Sequence, residues 1–393
     1  MLEIYANSPK LTTKPNKTIS DNKTSGITNY GENNNYPETF ENLILSSETA
    51  SACVNSLASF IVGDGFEEEG LDKVKVNDNQ TLGEVLVDIA RSLATHNGFY
   101  IHTNKNVLNE VTDIHVIPFC KCRLSIRDDW GYASKIAVKN TWLKSKTFTA
   151  SNKATFYNKF TEDDELTLSE IEQAGGIENW KGQVINVYAN NMYAYPLNTF
   201  DPVGDLLAVE DQVNKYKLNE VSQGFSKKTI FYVERDEDKS KNIENKQKVE
   251  QFMGPEGDKC LVVGTSYKED GTLDTSAFST TQLEANIDPT LFNEAFEKSV
   301  TNSIRKCAYN IPTLLIDSEA GGLGSLSGEY LKSAVGYYNI LTKPLRMMVT
   351  GALRRIFAKT TINQLKERTF DIKERVVDIS NFGSNQEDIL TKE

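Results

Sequence analysis

From Glu41 onward, apolar residues recur at helical spacing. Leu45, Ala52, Cys53, Leu57, Phe60 and Ile61, with Thr49 and Ser56 completing the three-and-four intervals, predict one helix that stops at Gly63-Asp64-Gly65. Thr81 offers an N-cap for a second helix, with Leu82, Val85, Leu86, Ile89 and Leu93 inward and a stop near Asn97-Gly98. The period then drops to two. Short runs over 99–101, 111–117, 120–126 and 132–138, broken by Gly, Pro and Asp, predict a small sheet. Residues 146–182 are polar and poorly periodic, and Val184-Ile185-Asn186-Val187-Tyr188 predicts a further strand. Asp201-Pro202, a capping residue followed by a first-turn proline, opens a helix that runs to Gly224.

In the second half, 229–233, 238–252 and 260–263 read as strand, charged helix and strand, a unit of roughly forty residues that is too small to be stable alone. A helix over 289–308 leads through Tyr309-Asn310-Ile311-Pro312 to the glycine-rich stretch Ser318-Glu319-Ala320-Gly321-Gly322-Leu323-Gly324-Ser325. A long helix follows from Ser327 to about Lys359. Pro344 inside it lacks a backbone donor and clashes with the carbonyl of Ile340, which predicts a bend. Residues 370–379 predict a strand, and the rest a polar tail. Residues 1–40, rich in Asn, Thr, Lys and Ser, predict an extended arm. The mixture of helical and strand periods predicts an α+β fold.

Composition narrows the function. The 393 residues carry a net charge of −12, which argues against nonspecific duplex binding through an all-over basic surface. Apolar residues at 39% and charged residues at 25% exclude a disordered or collagen-like chain. Five cysteines are too sparse for a secreted-type disulfide framework, so reduced thiols are expected. The opening MLEIYANSPK has no basic flank before a long apolar core, and no run of ~18 apolar residues occurs, so neither an export signal nor a membrane span is expected.

The candidate chemistry is thin. His96, His102 and His115 share no metal-ligand spacing and are expected in structural or surface roles. Cys120-x-Cys122 would place both thiols on one face of a strand, and without a second pair they read as sheet cysteines. The glycine-rich stretch precedes a helix, as phosphate loops do, but it has no P-loop lysine, and Leu314-Leu315-Ile316 is a short strand candidate. A flexible functional loop is the better reading. Glu67-Glu68-Glu69 and Asp236-Glu237-Asp238 are contiguous, so their carboxylates diverge into solvent. With no serine elbow and no kinase signature, no enzyme, cofactor or metal is expected.

The order of elements and several strings resemble the portal proteins of tailed bacteriophages over about residues 28–379. Those strings are Tyr30-Gly31-Glu32-Asn33-Asn34-Asn35-Tyr36-Pro37, Ile61-Val62-Gly63-Asp64-Gly65-Phe66, and the run from the 289–308 helix through Asn310-Ile311-Pro312 and the glycine-rich loop to the bent helix. The resemblance implies a portal-like fold of wing, stem and clip. Mapped here, it gives an arm (1–40), the first part of a wing (41–200), a first stem helix (201–225) and a clip (226–270). A linker with a second stem helix (271–312), a tunnel loop with a long kinked helix (313–360), and a C-terminal wing strand with a polar tail (361–393) complete the chain.

As function, the resemblance implies a noncatalytic ring, of twelve subunits in that family, at one capsid vertex. Double-stranded DNA passes through it without sequence specificity during packaging and ejection. The implied partners are further copies of the chain, the terminase large subunit, the major capsid protein and a head-tail adaptor, with no membrane. The implied location is the virion, and the host cytoplasm during assembly.

Residues take roles accordingly. The channel loop would comprise Asp317, Ser318, Glu319, Gly321, Gly322, Leu323, Gly324 and Ser325, whose carboxylates would repel phosphates rather than grip them. Pro344 would kink the tunnel helix. Arg305, Lys306, Lys332, Lys343 and Arg346, with Arg354 and Arg355 further along, would touch DNA or neighbouring subunits, or else pair with carboxylates. Arg235, Asp236, Glu237, Lys239, Lys241 and Lys246 would face the docking partners of the clip. Two alternatives are another structural phage-particle protein, of capsid or tail connector, and an enzyme that binds a phosphate ligand on the glycine-rich loop.

Overall fold

The computed structural model describes residues 17, 19–142, 153–189, 194–222, 229–232, 279–282, 294–316 and 328–377. The chain divides into two compact units, one of residues 14–204 and 302–393, the other of residues 1–13 and 205–301. Both helices and sheets are present, as the sequence predicts for an α+β chain.

The larger unit is built on a six-stranded sheet of order β4-β3-β8-β7-β6-β5. Its strands are β3 (Gly98–Lys105), β4 (Val111–Ile117), β5 (Cys122–Leu124), β6 (Lys135–Val138), β7 (Thr155–Lys159) and β8 (Gln183–Tyr188). Neighbours are antiparallel except β7 and β8, which pair in parallel at Asn158 with Gln183. Ile101 lies opposite Val116 on one side and Ile185 on the other, so an apolar row crosses the sheet. A hairpin of β1 (Ile19–Asn22) and β2 (Ile27–Tyr30) covers the β5 edge through a bridge from Ile27 to Ser125 and a Thr28 hydroxyl donated to the Ser125 carbonyl at 2.9 Å.

Three helices pack in this unit before β3: α1 (Tyr36–Ser46), α2 (Glu48–Val62) and α3 (Leu82–His96). The α3 cap is the one its sequence predicts. Thr81 and Glu84 form a reciprocal capping box, and Asn97 ends the helix in the left-handed region at φ 56°. The single helix expected from Glu41 is in fact two. Ser47 ends α1 and its hydroxyl accepts from Ala50 N at 3.1 Å to start α2, which leaves Leu45 74% exposed rather than on the inward stripe. Nor are residues 19–40 of the expected arm extended: asparagine-rich as they are, they form the hairpin and the start of α1, with Pro37 in the helix's first turn. The polar stretch 146–182 holds β7 and the helix α4 (Asp164–Gln173), started by Asp163 as N-cap.

Gly63 shows why the stop after α2 must be glycine. It sits at φ 59°, and a Cβ there would lie 1.9 Å from the Lys373 carbonyl oxygen. Residues 371–373 run along this turn, with Glu67 N bonded to Asp371 O at 2.8 Å and Lys373 N to Gly65 O at 2.8 Å. Of the strand expected at 370–379, the described residues 370–377 partner the turn, joined by a bridge between Phe66 and Ile372, and are not in the six-stranded sheet.

The other unit contributes most of α5 (Gly204–Ser222), the antiparallel pair β9 (Thr229–Tyr232) and β10 (Ser279–Gln282), and the first half of α6 (Glu294–Cys307). Asp201-Pro202 forms a 3-10 turn that leads into α5, and Lys217 of α5 pairs with Glu297 of α6. The partner of β9 is β10, a strand that the sequence pattern does not announce. The helix and second strand expected over 238–252 and 260–263 lie outside the described residues.

At the centre of the larger unit, Arg123 of β5 is fully buried. Its Nε donates to Asn34 Oδ1 at 2.7 Å, and Nη1 to the Cys120 and Cys122 carbonyls at 2.9 and 2.8 Å. Its Nη2 donates to the Asn34 carbonyl at 2.9 Å and to the Glu38 carboxylate at 2.8 and 2.9 Å. Arg123→Met leaves Glu38 half-buried and without its counter-charge, so it should lower the unfolding free energy by about 3–5 kcal/mol. Adding Glu38→Gln should recover part of that loss; urea unfolding of the two variants measures both, and a single-variant loss below ~1 kcal/mol would contradict the assignment.

Candidate functional site

The last large element is α7 (Gly328–Phe357), thirty residues long, which follows the glycine-rich stretch directly. Two seven-residue repeats run along it. Val335, Tyr338, Thr342, Leu345, Val349, Ala352 and Ile356 are buried at alternating three- and four-residue steps. On another face Tyr330, Tyr337, Ile340 and Met347 are exposed by 60, 49, 69 and 64%, with exposed Pro344 between the last two. Among the described residues nothing covers this apolar stripe.

The inward face is anchored by polar as well as apolar contacts. The Tyr338 hydroxyl donates to the Ala308 carbonyl at 2.8 Å, tying α7 to the end of α6. Arg346 Nη1 donates to the Phe60 carbonyl of α2 at 3.1 Å and to Thr342 Oγ1 at 2.9 Å. Its Nη2 donates to the Asn339 carbonyl at 2.9 Å and reaches Glu374 Oε1 at 3.2 Å. The Thr342 hydroxyl turns back to the Tyr338 carbonyl at 2.9 Å, two residues before Pro344, whose ring nitrogen can give Ile340 no hydrogen.

The predicted cations separate into two groups. Arg346, expected among the DNA or inter-subunit contacts, is only 4% exposed and spends its guanidinium on partners within the chain. Arg305 likewise turns inward: Nε and Nη2 donate to the Ile311 carbonyl at 3.1 and 2.7 Å, closing the turn in which Tyr309 and Asn310 take φ 56° and 51°. Arg354 pairs with Asp371 and Arg355 with Glu162. Lys306, Lys332 and Lys343 are exposed. Asp317 to Ser325, expected in a channel loop, and Arg235 to Lys246, expected on a clip, lie outside the described residues.

Two clefts among the described residues carry polar side chains. One of about 180 Å³ is lined by Lys105, Asn109, Phe160, Glu162, Arg355 and Lys359. Burial lowers the Lys105 pKa to about 8, but its ammonium already donates to Asn109 Oδ1 and the Thr161 carbonyl, and Lys359 holds Asp164, so no cation is left for an anion. The second, about 570 Å³, is polar and lined by Asn77, Asp78, Asn104, Asp113 and His115. In the second, the Thr112 hydroxyl donates to Asp113 Oδ2 at 2.9 Å and His115 Nε2 lies 3.1 Å from Asp113 Oδ1.

The histidines and cysteines divide by burial. Burial, helped by the nearby Arg123 charge, lowers the His96 pKa to about 3, so its imidazole is neutral. Burial also lowers His102, which meets the Lys181 carbonyl at 2.7 Å, while His115 stands exposed beside Asp113. Cys120 and Cys122 do not share a strand face: Cys120 lies in a 3-10 turn (Phe119–Lys121) and Cys122 begins β5. Burial pushes both thiols up. Of the acidic triplets, Glu67-Glu68-Glu69 is not wholly solvated, because Glu68 accepts from Thr369 N at 2.9 Å and pairs with Arg368. No helix among the described residues is long and apolar enough to cross a membrane.

No family model and no curated protein matches the chain. Among solved structures it is similar to a chain in the virion of a native gene transfer agent particle, with TM-score 0.49 and 9% identity over 90% of this chain and 88% of that one. It is similar to a chain in the neck of the native particle computed with C12 symmetry, with TM-score 0.46 and 10% identity over 96% of this chain and 91% of that one. An HK97-family phage portal protein from Corynebacterium diphtheriae follows, with TM-score 0.41 and 10% identity over 80% of this chain and 90% of that one. Likeness of this degree assigns no function.

Replacing Arg346 separates the two groups of cations. Arg346→Met strands buried acceptors on α2 and α7, which should cost about 2–4 kcal/mol. Lys332→Ala and Lys343→Ala should each stay within ~0.5 kcal/mol. Denaturant unfolding measures all three, and equal effects would contradict the division.

Proposed function

We propose that the chain is a phage portal protein: copies of it form a ring-shaped channel at one capsid vertex, through which double-stranded DNA is packaged and later ejected. The observation that carries this reading is the two-faced α7. One side is fixed into its own chain by Tyr338 and Arg346, and the other presents Tyr337, Ile340 and Met347 with no partner among the described residues. A second copy is the partner that such a face fits, and repetition of one contact around an axis closes a ring. The resemblance of the sequence to portal proteins supplies the rest of the reading.

Within it, residues 317–326 lie at the axis. Their glycines let each copy shift as the duplex slides, and Asp317 and Glu319 repel phosphate weakly, so that no sequence is gripped. Exposed Lys306, Lys332 and Lys343 are the remaining cations for DNA or a neighbouring subunit. The unit around 226–270 is the clip, which meets the terminase during filling and a head-tail adaptor afterwards. The ring itself performs no catalysis.

Gly322→Asp adds a side chain and a charge to every copy of the loop. Particles built with it should assemble normally and contain a small fraction of the wild-type DNA. Normal packaging by assembled Gly322→Asp rings would overturn the assignment of the loop to the channel.

A further inference from the structure

Three ligand-bearing side chains converge near Arg123 from separate elements. Glu41 stands on α1, His96 is the last residue of α3, and Cys120 lies in the 3-10 turn between β4 and β5. Cys120 Sγ is 3.1 Å from Glu41 Oε2, and His96 Nε2 is 4.0 Å from Glu41 Oε1. One ligand atom from each lies within 4.8 Å of the others, and among the described residues this is the one such trio.

Tetrahedral zinc, with bonds of about 2.0–2.3 Å, places its donors about 3.3–3.8 Å apart, so side-chain movement of about an ångström brings all three into bonding range. An imidazole nitrogen, a thiolate sulfur and a carboxylate oxygen form a donor set that suits zinc and its neighbours, not the hard cations calcium and magnesium.

The surroundings agree. The His96 side chain is 5% exposed and its ring stacks on Phe119 at 4.6 Å, which fixes the ligand in an apolar wall. Glu41 is 51% exposed, so the trio opens to solvent on one side, where an ion can enter and water can fill the fourth position. Arg123 donates to the Cys120 carbonyl, but its positive charge is met by Glu38. With Cys120 ionised, a divalent cation balances Glu38, Arg123, Glu41 and the thiolate to zero net charge.

We propose that Glu41, His96 and Cys120 bind one transition-metal ion of the zinc class, clamping α1 and α3 to the turn that leads into β5. Binding releases the Cys120 thiol proton to solvent. The inference goes beyond the portal reading and does not depend on it.

Cobalt(II) is the probe, titrated into reduced, chelator-treated full-length protein. One equivalent should bind per chain, with thiolate-to-cobalt charge-transfer absorption and ligand-field bands of tetrahedral strength, and zinc should displace it and raise the melting temperature. Cys307→Ser should keep the charge-transfer band and Cys120→Ser should lose it. Glu41→Gln, at a half-exposed position that tolerates the change, should weaken cobalt binding roughly tenfold or more. Absence of the band in the wild type, or its survival in Cys120→Ser, overturns the site. If Cys120→Ser does not fold, unchanged cobalt affinity in Glu41→Gln overturns it instead.

Discussion

A guanidinium taken out of water carries five N–H donors and a charge, and the interior must meet all of them at directions set by a rigid plane. Arg123 is such a group. Its partners are the side chain and carbonyl of Asn34, the Glu38 carboxylate, and the carbonyls of Cys120 and Cys122. Because the fork is planar, the turn before α1, the first turn of α1 and the start of β5 are positioned together. Asn34, at φ 54°, uses the same side-chain oxygen to accept from Tyr30 N at 2.9 Å. That brings Tyr30 between Tyr36 and Tyr195, stacked at 4.8 and 4.2 Å. Tyr36 in turn donates to Asp201 at 2.6 Å, and Tyr195 donates to the Thr28 carbonyl while accepting from Leu124 N. One buried charge thus sets the register between the hairpin, α1, the sheet edge and the turn that opens α5.

A second buried arginine does comparable work for α7. Arg346 joins α2, α7 and the 374 segment, and so decides which face of the long helix is turned inward. The opposite face follows from that choice and not from a separate signal: fixing Tyr338, Thr342 and Val349 inward presents Tyr337, Ile340 and Met347 outward. An exposed apolar stripe costs solubility in a monomer and becomes a contact in an assembly. A hydrogen-bond network within the chain therefore decides which apolar face of α7 is left for another molecule.

Much of the fold was legible where the signal is local. The Thr81 capping box, the Asn97 stop, Asp201-Pro202 and the alternating residues of β3, β4 and β8 need only their neighbours. Misreadings arose where the deciding partner is distant. Leu45 fits a helical stripe by spacing, yet Ser47 breaks the stripe by capping the next helix. Residues 370–377 have strand composition, but their partner is the turn at Gly63. Arg346 reads as one more cation on a charged helix. The available signal was its position four residues after Thr342 and seven after Asn339, on the inward face. Arg123, inside the apolar run of β5, was the clearest overlooked sign of a buried polar centre. The meeting of Glu41, His96 and Cys120 had no motif at all, since the three lie on elements that only the tertiary fold brings together.

Electron microscopy of the purified full-length protein, with its mass from native mass spectrometry, tests the ring most directly. The expected particle is a closed ring of twelve 44.0 kDa chains, roughly 530 kDa, with a central hole of ~20 Å or more and the Tyr337, Ile340 and Met347 face of α7 against a neighbouring copy. A monomer in purified protein and in assembled particles alike, with that face left in solvent, would contradict it.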